Sequence, residues 1–229
     1  MLVNADFARR AIIAGDRYEW VRSPQTGVER VMLDRVSASG NHEKARATSI
    51  VRYARGSHFP RHTHDGGEEI LVLSGCLSEG DQHYPAGWYL RNPPGSSHQP
   101  ASEAGAVIFV KLRQMAATEA QSVRIDTHAP NAWIHEHGRA ICPLFEDAEE
   151  RVALVRISAH ERIFADAVKG AELLVLDGEV SVRDITRLAQ GSWLRLPAGV
   201  HRDVKAGAEG ATLYLKTGAF RGLPEGGAQ

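Results

Sequence analysis

The feature that most constrains this chain is an internal repeat. Glu69-Ile-Leu-Val-Leu-Ser-Gly75 recurs as Glu172-Leu-Leu-Val-Leu-Asp-Gly178. Gly87-Trp-Tyr-Leu-Arg-Asn-Pro-Pro-Gly-Ser-Ser-His98 recurs, one residue shorter, as Gly191-Ser-Trp-Leu-Arg-Leu-Pro-Ala-Gly-Val-His201. Gly105-Ala-Val-Ile-Phe-Val-Lys111 recurs as Gly210-Ala-Thr-Leu-Tyr-Leu-Lys216. A pattern kept over so many positions predicts one folding unit present twice in the 229 residues. The join is expected near residues 114–133, where Ala116-Ala-Thr-Glu-Ala-Gln121 is polar and poor in strand signals, and it divides the chain into domains 1–115 and 116–229.

Each copy reads as short strands between Gly and Pro turns, with little helical periodicity. Gly27 to Arg35 alternates, Ala47 to Tyr53 follows, and Ala106 to Leu112 is an unbroken apolar run. The fold class is therefore all-β, a sandwich or barrel. Residues 4–15 fit a short helix capped by Asn4 or Asp6 and closed at Gly15, or else a strand that adds to a partner subunit. With 27 basic and 28 acidic residues, the charge offers nothing to nucleic acid or to an anionic membrane. No apolar run approaches a membrane span, and the N-terminus lacks a secretory pattern. Cys76 and Cys142 form no Cys-x-x-Cys, which fits reduced thiols in a cytoplasmic protein.

The chemistry lies in the first copy. His62 and His64 flank Thr63, so in a strand both imidazoles point the same way. Asp65-Gly66-Gly67 allows the chain to reverse at once, and Glu68 then starts the return strand. His98 follows the Pro93-Pro94-Gly95 turn, and a closed sheet would return it to the other three. Three imidazoles and a carboxylate suit zinc, iron, manganese, nickel or copper. Glu69 is the rival carboxylate, at a spacing one residue longer.

These residues resemble the cupin pattern G-x5-H-x-H-x3-E-x6-G with its partner G-x5-P-x-G-x2-H, at every fixed position from Gly56 to His98. Gly66-Gly-Glu-Glu-Ile-Leu-Val-Leu73, Arg91-Asn-Pro-Pro-Gly-Ser-Ser-His98 and Phe109-Val-Lys-Leu112 resemble more narrowly the cupin-like family named for ChrR, a zinc-binding anti-sigma factor. That resemblance covers most of residues 18–126. It implies two tandem cupin barrels of the jelly-roll type, a bicupin. It also implies one divalent metal per chain on His62, His64, Glu68 and His98, zinc first, with iron, manganese or nickel as alternatives.

The second copy has lost this set. Ala165, Ala167 and Ala171 stand where His62, His64 and Glu68 would, and only His201 remains, opposite His98. Glu172 survives opposite Glu69, which assigns Glu69 to the fold and Glu68 to the metal. Phe164 and Trp193 are expected to fill the emptied interior. His42 and His83 match no motif position and read as surface histidines; the His135-Glu-His137 run matches none either and reads as a surface candidate for adventitious metal.

The resemblance implies a sensory or regulatory protein, yet the anti-sigma zinc motif His-x3-Cys-x2-Cys is missing from the chain, so sigma-factor binding is not expected. It equally implies a metal-dependent dioxygenase acting on a diketone or aromatic ketone, or a protein that binds a small molecule on its metal without turnover. A homodimer is expected from the need to cover sheet edges.

Overall fold

The computed structural model describes residues 2–37, 45–183 and 186–220. His42 lies outside the described residues. Twenty strands follow one another in the described chain, with two short 3-10 turns and no α-helix. They are β1 (Ala11–Ile13), β2 (Val21–Arg22), β3 (Val28–Val36), β4 (Arg46–Tyr53), β5 (Ser57–His58), β6 (His62–Thr63), β7 (Glu68–Glu79), β8 (Gln82–Pro85), β9 (Trp88–Asn92) and β10 (Ser97–His98). Then come β11 (Pro100–Ser102), β12 (Ala106–Leu112), β13 (Val123–Asp126), β14 (Ile134–Glu136), β15 (Arg139–Glu146), β16 (Glu150–Ile157), β17 (Ala171–Val182), β18 (Thr186–Ala189), β19 (Trp193–Leu196) and β20 (Val204–Gly218).

The chain divides into two compact units. One comprises Glu19–His128 with the residues up to Ala5, the other Ala129–Phe220 with Asp6–Tyr18. In the first, the main sheet has the order β13-β9-β7-β12-β4-β3-β2; in the second, the order is β1-β19-β17-β20-β16-β15-β14. These are the same sheet twice, and the registers agree residue by residue. Glu69 lies opposite Arg91 and Lys111, as Glu172 lies opposite Arg195 and Lys216.

The first strand of each copy pairs outside the unit that the rest of its copy builds. β1 extends the second unit along β19, through Ala11↔Arg195 and Ile13↔Trp193, and β13 extends the first along β9. The helix expected over residues 4–15 does not form. Phe7 is buried instead, with the Arg195 guanidinium 3.7 Å from its ring centroid, and strand pairing overrides local helical spacing. Within the expected join, residues 116–121 hold no strand, and β13 follows at Val123–Asp126.

Inward and outward faces alternate along each strand. In the first unit Ile70, Val72, Leu90, Ile108 and Val110 form the inner cluster. In the second, Leu173, Val175, Leu194, Leu196 and Leu213 do the same. At about 25 cal/mol per Å² of apolar surface, each such side chain stabilises its unit by roughly 1.5–3 kcal/mol. Gly75 and Gly178 occupy matching positions just beyond the bulges at Leu73 and Leu176, with φ of 71° and 72°. A Cβ on Gly75 would come within 2.9 Å of the Ala106 backbone, so the pattern requires glycine there.

Trp193 does not fill the second interior. It is fully buried, but alternation puts it on the opposite face from Leu194, where its indole N–H donates to Glu172 at 2.7 Å. Phe164 does turn inward, into the apolar cluster and against the His201 ring.

Candidate metal centre

His62 and His98 lie directly opposite each other in the β6–β10 pair. His64 follows at the end of β6, its N–H held by the Ser96 carbonyl, and the turn closes with Gly67 N–H on the His64 carbonyl. The three imidazole rings converge, with centroids 4.6–4.9 Å apart. Glu68 opens β7 on the inner face, and its Oε2 lies 3.3 Å from Nε2 of both His64 and His98. One ligand atom from each of the four falls within 4.8 Å of all the others. This is the set expected from the sequence, brought together by a hairpin and a cross-strand pair.

Glu69 faces away. Arg91 donates to it at 3.1 Å, and the same guanidinium donates to both oxygens of Glu119 at 2.5 and 2.9 Å. Glu69 therefore belongs to a buried ion-pair network of the sheet. The remaining candidates stay apart from the cluster. His83 is exposed against Ser78 Oγ, and Glu136 of the His135-Glu-His137 run is paired with Arg151. Among the described residues no other group of three or more such side chains converges. Cys76 and Cys142 are free, and burial pushes the Cys142 thiol up to about 11.

Hydrogen bonds fix which ring nitrogens face inward. His62 Nδ1 donates to the Pro60 carbonyl at 2.8 Å, and His98 Nδ1 donates to Glu79 at 2.5 Å. Both rings then present Nε2 lone pairs toward His64 Nε2, only 2.8 Å from His98 Nε2, and toward the Glu68 carboxylate. Lone pairs converging from three nitrogens and an oxygen repel one another unless a proton or a cation lies among them, and borderline divalent metals match this donor set. The residues present fit a metal ion.

The surroundings shift the titration of these groups. Burial depresses His64, and the neighbouring imidazoles add to it against the pull of Glu68. For His98 burial acts in the same sense, but the Glu79 hydrogen bond and the Glu68 and Glu79 charges outweigh it and raise the net value. Glu79 is lowered, because the bonds from His98 and Arg124 overcome its burial.

Sequence reasoning missed a supporting layer of three residues. Glu79 orients His98. Asn92 Nδ2 donates to Glu68 Oε2 at 3.0 Å. Arg124, on β13, donates to Asn92 Oδ1 at 2.6 Å and reaches Glu79 at 3.4 Å. Such partners hold ligand tautomers and orientations in metal sites. Matching registers give their counterparts in the second unit as Val182, Leu196 and Ile12, all apolar. That coordinated loss is the signal that a position-by-position comparison of the two copies could have used.

Beside the cluster lies a cavity of about 680 Å³, bordered by His62, His64 and Glu68 and walled by Val51, Tyr53, Phe59, Ile108, Val110 and Leu112. The pocket at Ala165 and Ala167 in the second unit measures about 360 Å³.

Residues 8–116 match the family model described as the ChrR cupin-like domain. No curated protein matches the chain. Many solved structures share the fold, among them the following three. A provisionally assigned dioxygenase from Nostoc punctiforme is 15% identical, with a TM-score of 0.68 over 96% of this chain and 82% of that one. The nickel(II)-bound pirin YhhW from Escherichia coli is 11% identical, with a TM-score of 0.64 over 92% and 99%. The cupin 2 conserved barrel domain protein from Leptotrichia buccalis is 14% identical, with a TM-score of 0.61 over 95% and 100%. The chain is thus an all-β protein of the cupin fold, and its residues 8–116 match the ChrR cupin-like domain.

Proposed function

We propose that the first unit is a metal-dependent catalyst acting on a small carbonyl compound, of the dioxygenase class. The carrying observation is the roughly 680 Å³ cavity, within the range of small-molecule sites, that shares His62, His64 and Glu68 with the cluster. His62, His64, His98 and Glu68 would hold the ion. A bound divalent metal supplies Lewis-acid polarisation of a carbonyl and, when redox-active, reaction with O2. The chain's own part is to bind and orient. Apolar walls exclude water, Asn92 holds the Glu68 carboxylate in place, and Glu68 at the cavity wall can accept a proton from the carbon next to a carbonyl. The Nostoc neighbour's provisional assignment agrees with this reading, although the likeness by itself concerns the fold.

The match of residues 8–116 favours a second reading, a regulatory module that binds its small molecule without turnover. Metal analysis of purified protein, followed by oxygen uptake with 1-phenylbutane-1,3-dione after loading with iron, manganese, nickel or zinc, separates the two. The catalytic reading expects about one ion per chain and uptake with a redox-active ion. It also expects loss of both in the double variant His62→Ala, His64→Ala. Metal retention without uptake rejects catalysis and leaves the regulatory reading. Absence of metal, or two tightly held ions, rejects the assignment of one site per chain.

A further inference from the structure

Arg30 lies on β3 and lines the cavity, three strands away from Glu68, with Val51 opposite it on β4 and Ile108 next on β12. Its Nε is buried without a hydrogen-bond partner, and its side chain makes no ion pair among the described residues. Arg35 lines the same cavity. Strict alternation from Arg30 would turn Arg35 away, but a register shift between Met32 and Asp34 returns it to the inner face. Burial, and then the charge of Arg30, hold Arg35 below its ordinary value, so the two cations raise each other's energy.

The other described charges at the cavity do not pair with Arg30. Arg113 and Asp65 pair with each other at 2.9 Å, and Glu68 belongs to the metal cluster and is held by Asn92. A guanidinium left with a desolvated donor beside a second cation is costly unless an anion meets it. Arginine's planar fork matches a carboxylate bidentately. The intervening wall of Val51, Ile108 and Val110 is apolar.

We propose that this cavity takes an amphiphilic carboxylate, with the anionic group on Arg30, the apolar body along the β4–β12 wall, and the reactive carbonyl toward His62, His64 and Glu68. The inference rests on the proposed metal-centred reading for the orientation of the carbonyl, and on Arg30 alone for the anion.

The test uses two probes that differ by one group. The anionic probe is 4-phenyl-2,4-dioxobutanoate; the neutral one is 1-phenylbutane-1,3-dione, with methyl in place of carboxylate. Binding to the protein as purified is measured by calorimetry under anaerobic conditions, so that no turnover intervenes. The anionic probe should bind about 10–100-fold more tightly, the range of a charge-assisted contact. Arg30→Gln should remove that preference, and Arg30→Lys should keep part of it. Arg30 has no described partner, so both variants should retain wild-type circular dichroism and metal content.

Equal affinity for the two probes overturns the proposal, as does failure of either to bind. A preference that survives Arg30→Gln overturns it too, since the carboxylate would then be held elsewhere. Oxygen uptake and metal content report separately on the catalytic reading. An Arg30-dependent preference without uptake sinks that reading and leaves this one. Uptake with the neutral probe and no carboxylate preference does the reverse.

Discussion

The carboxylate of Glu79 accepts a 2.5 Å hydrogen bond from Nδ1 of His98. It comes from the far end of the strand that Glu68 begins, so a single strand, β7, carries both a candidate ligand and the group that orients another. Glu79→Ala should lower metal affinity about 10–100-fold, the usual effect of removing such a partner. Competition with a chelator checks this, and unchanged affinity would reduce Glu79 to a surface-stabilising role.

Asn92→Leu imitates the second copy, where Leu196 occupies the same register position opposite Ala171. The backbone accepts leucine there, so the fold should survive. Glu68 loses its amide donor, and metal affinity should fall by about tenfold or more. Parallel thermal melts distinguish this outcome from unfolding; a large loss of Tm with normal metal affinity contradicts it.

Arg91 is fully buried between Glu69 and Glu119, which are themselves 3% and 7% exposed. Arg91→Ala removes the cation that donates to both of these buried carboxylates. The cost should be about 3–5 kcal/mol, read from denaturant unfolding. A loss below about 1 kcal/mol would show that water reaches the pair as it reaches exposed ion pairs.

Arg10 ties the N-terminal segment to the second unit through Asp203, at 2.8 Å. Burial would raise Asp203, but the Arg10 hydrogen bond and charge, with Arg183 nearby, overcome it and hold the carboxyl below its ordinary value. The folded state therefore binds fewer protons than the unfolded state in that range. Its stabilising contribution is complete above the unfolded value and is lost as pH falls through the lower folded value. Asp203→Asn should flatten that part of the acid-unfolding profile and leave stability above pH ~6 independent of pH through this group. An unchanged acid limb would remove Asp203 from the account.

Much of the fold was legible from local patterns. Apolar runs between Gly and Pro turns marked β3, β4, β7, β9 and β12 to within a residue or two at their starts, alternating in β3 and unbroken in β12. The duplication was legible because both copies keep the Glu–Arg–Lys row, Glu69 with Arg91 and Lys111, Glu172 with Arg195 and Lys216. Phe164 was placed inward correctly. Trp193 was not, because its neighbour Leu194 takes the inner face and the indole finds a hydrogen-bond acceptor on the other.

By itself the sequence determined which side chains could share a metal, since His62, His64 and Glu68 lie on one short hairpin whose turn leaves little freedom. It showed as well that the second copy lacks three of the four, with Ala165, Ala167 and Ala171 in their places. Tertiary structure alone decided that β1 pairs with β19 and β13 with β9, and hence that Arg124 stands behind Asn92 and Glu79. The physical reason is range. Faces and turns follow from neighbours a few residues apart, whereas the partner of an edge strand is settled by backbone hydrogen bonds between segments distant in the chain, which leave no periodic trace in either.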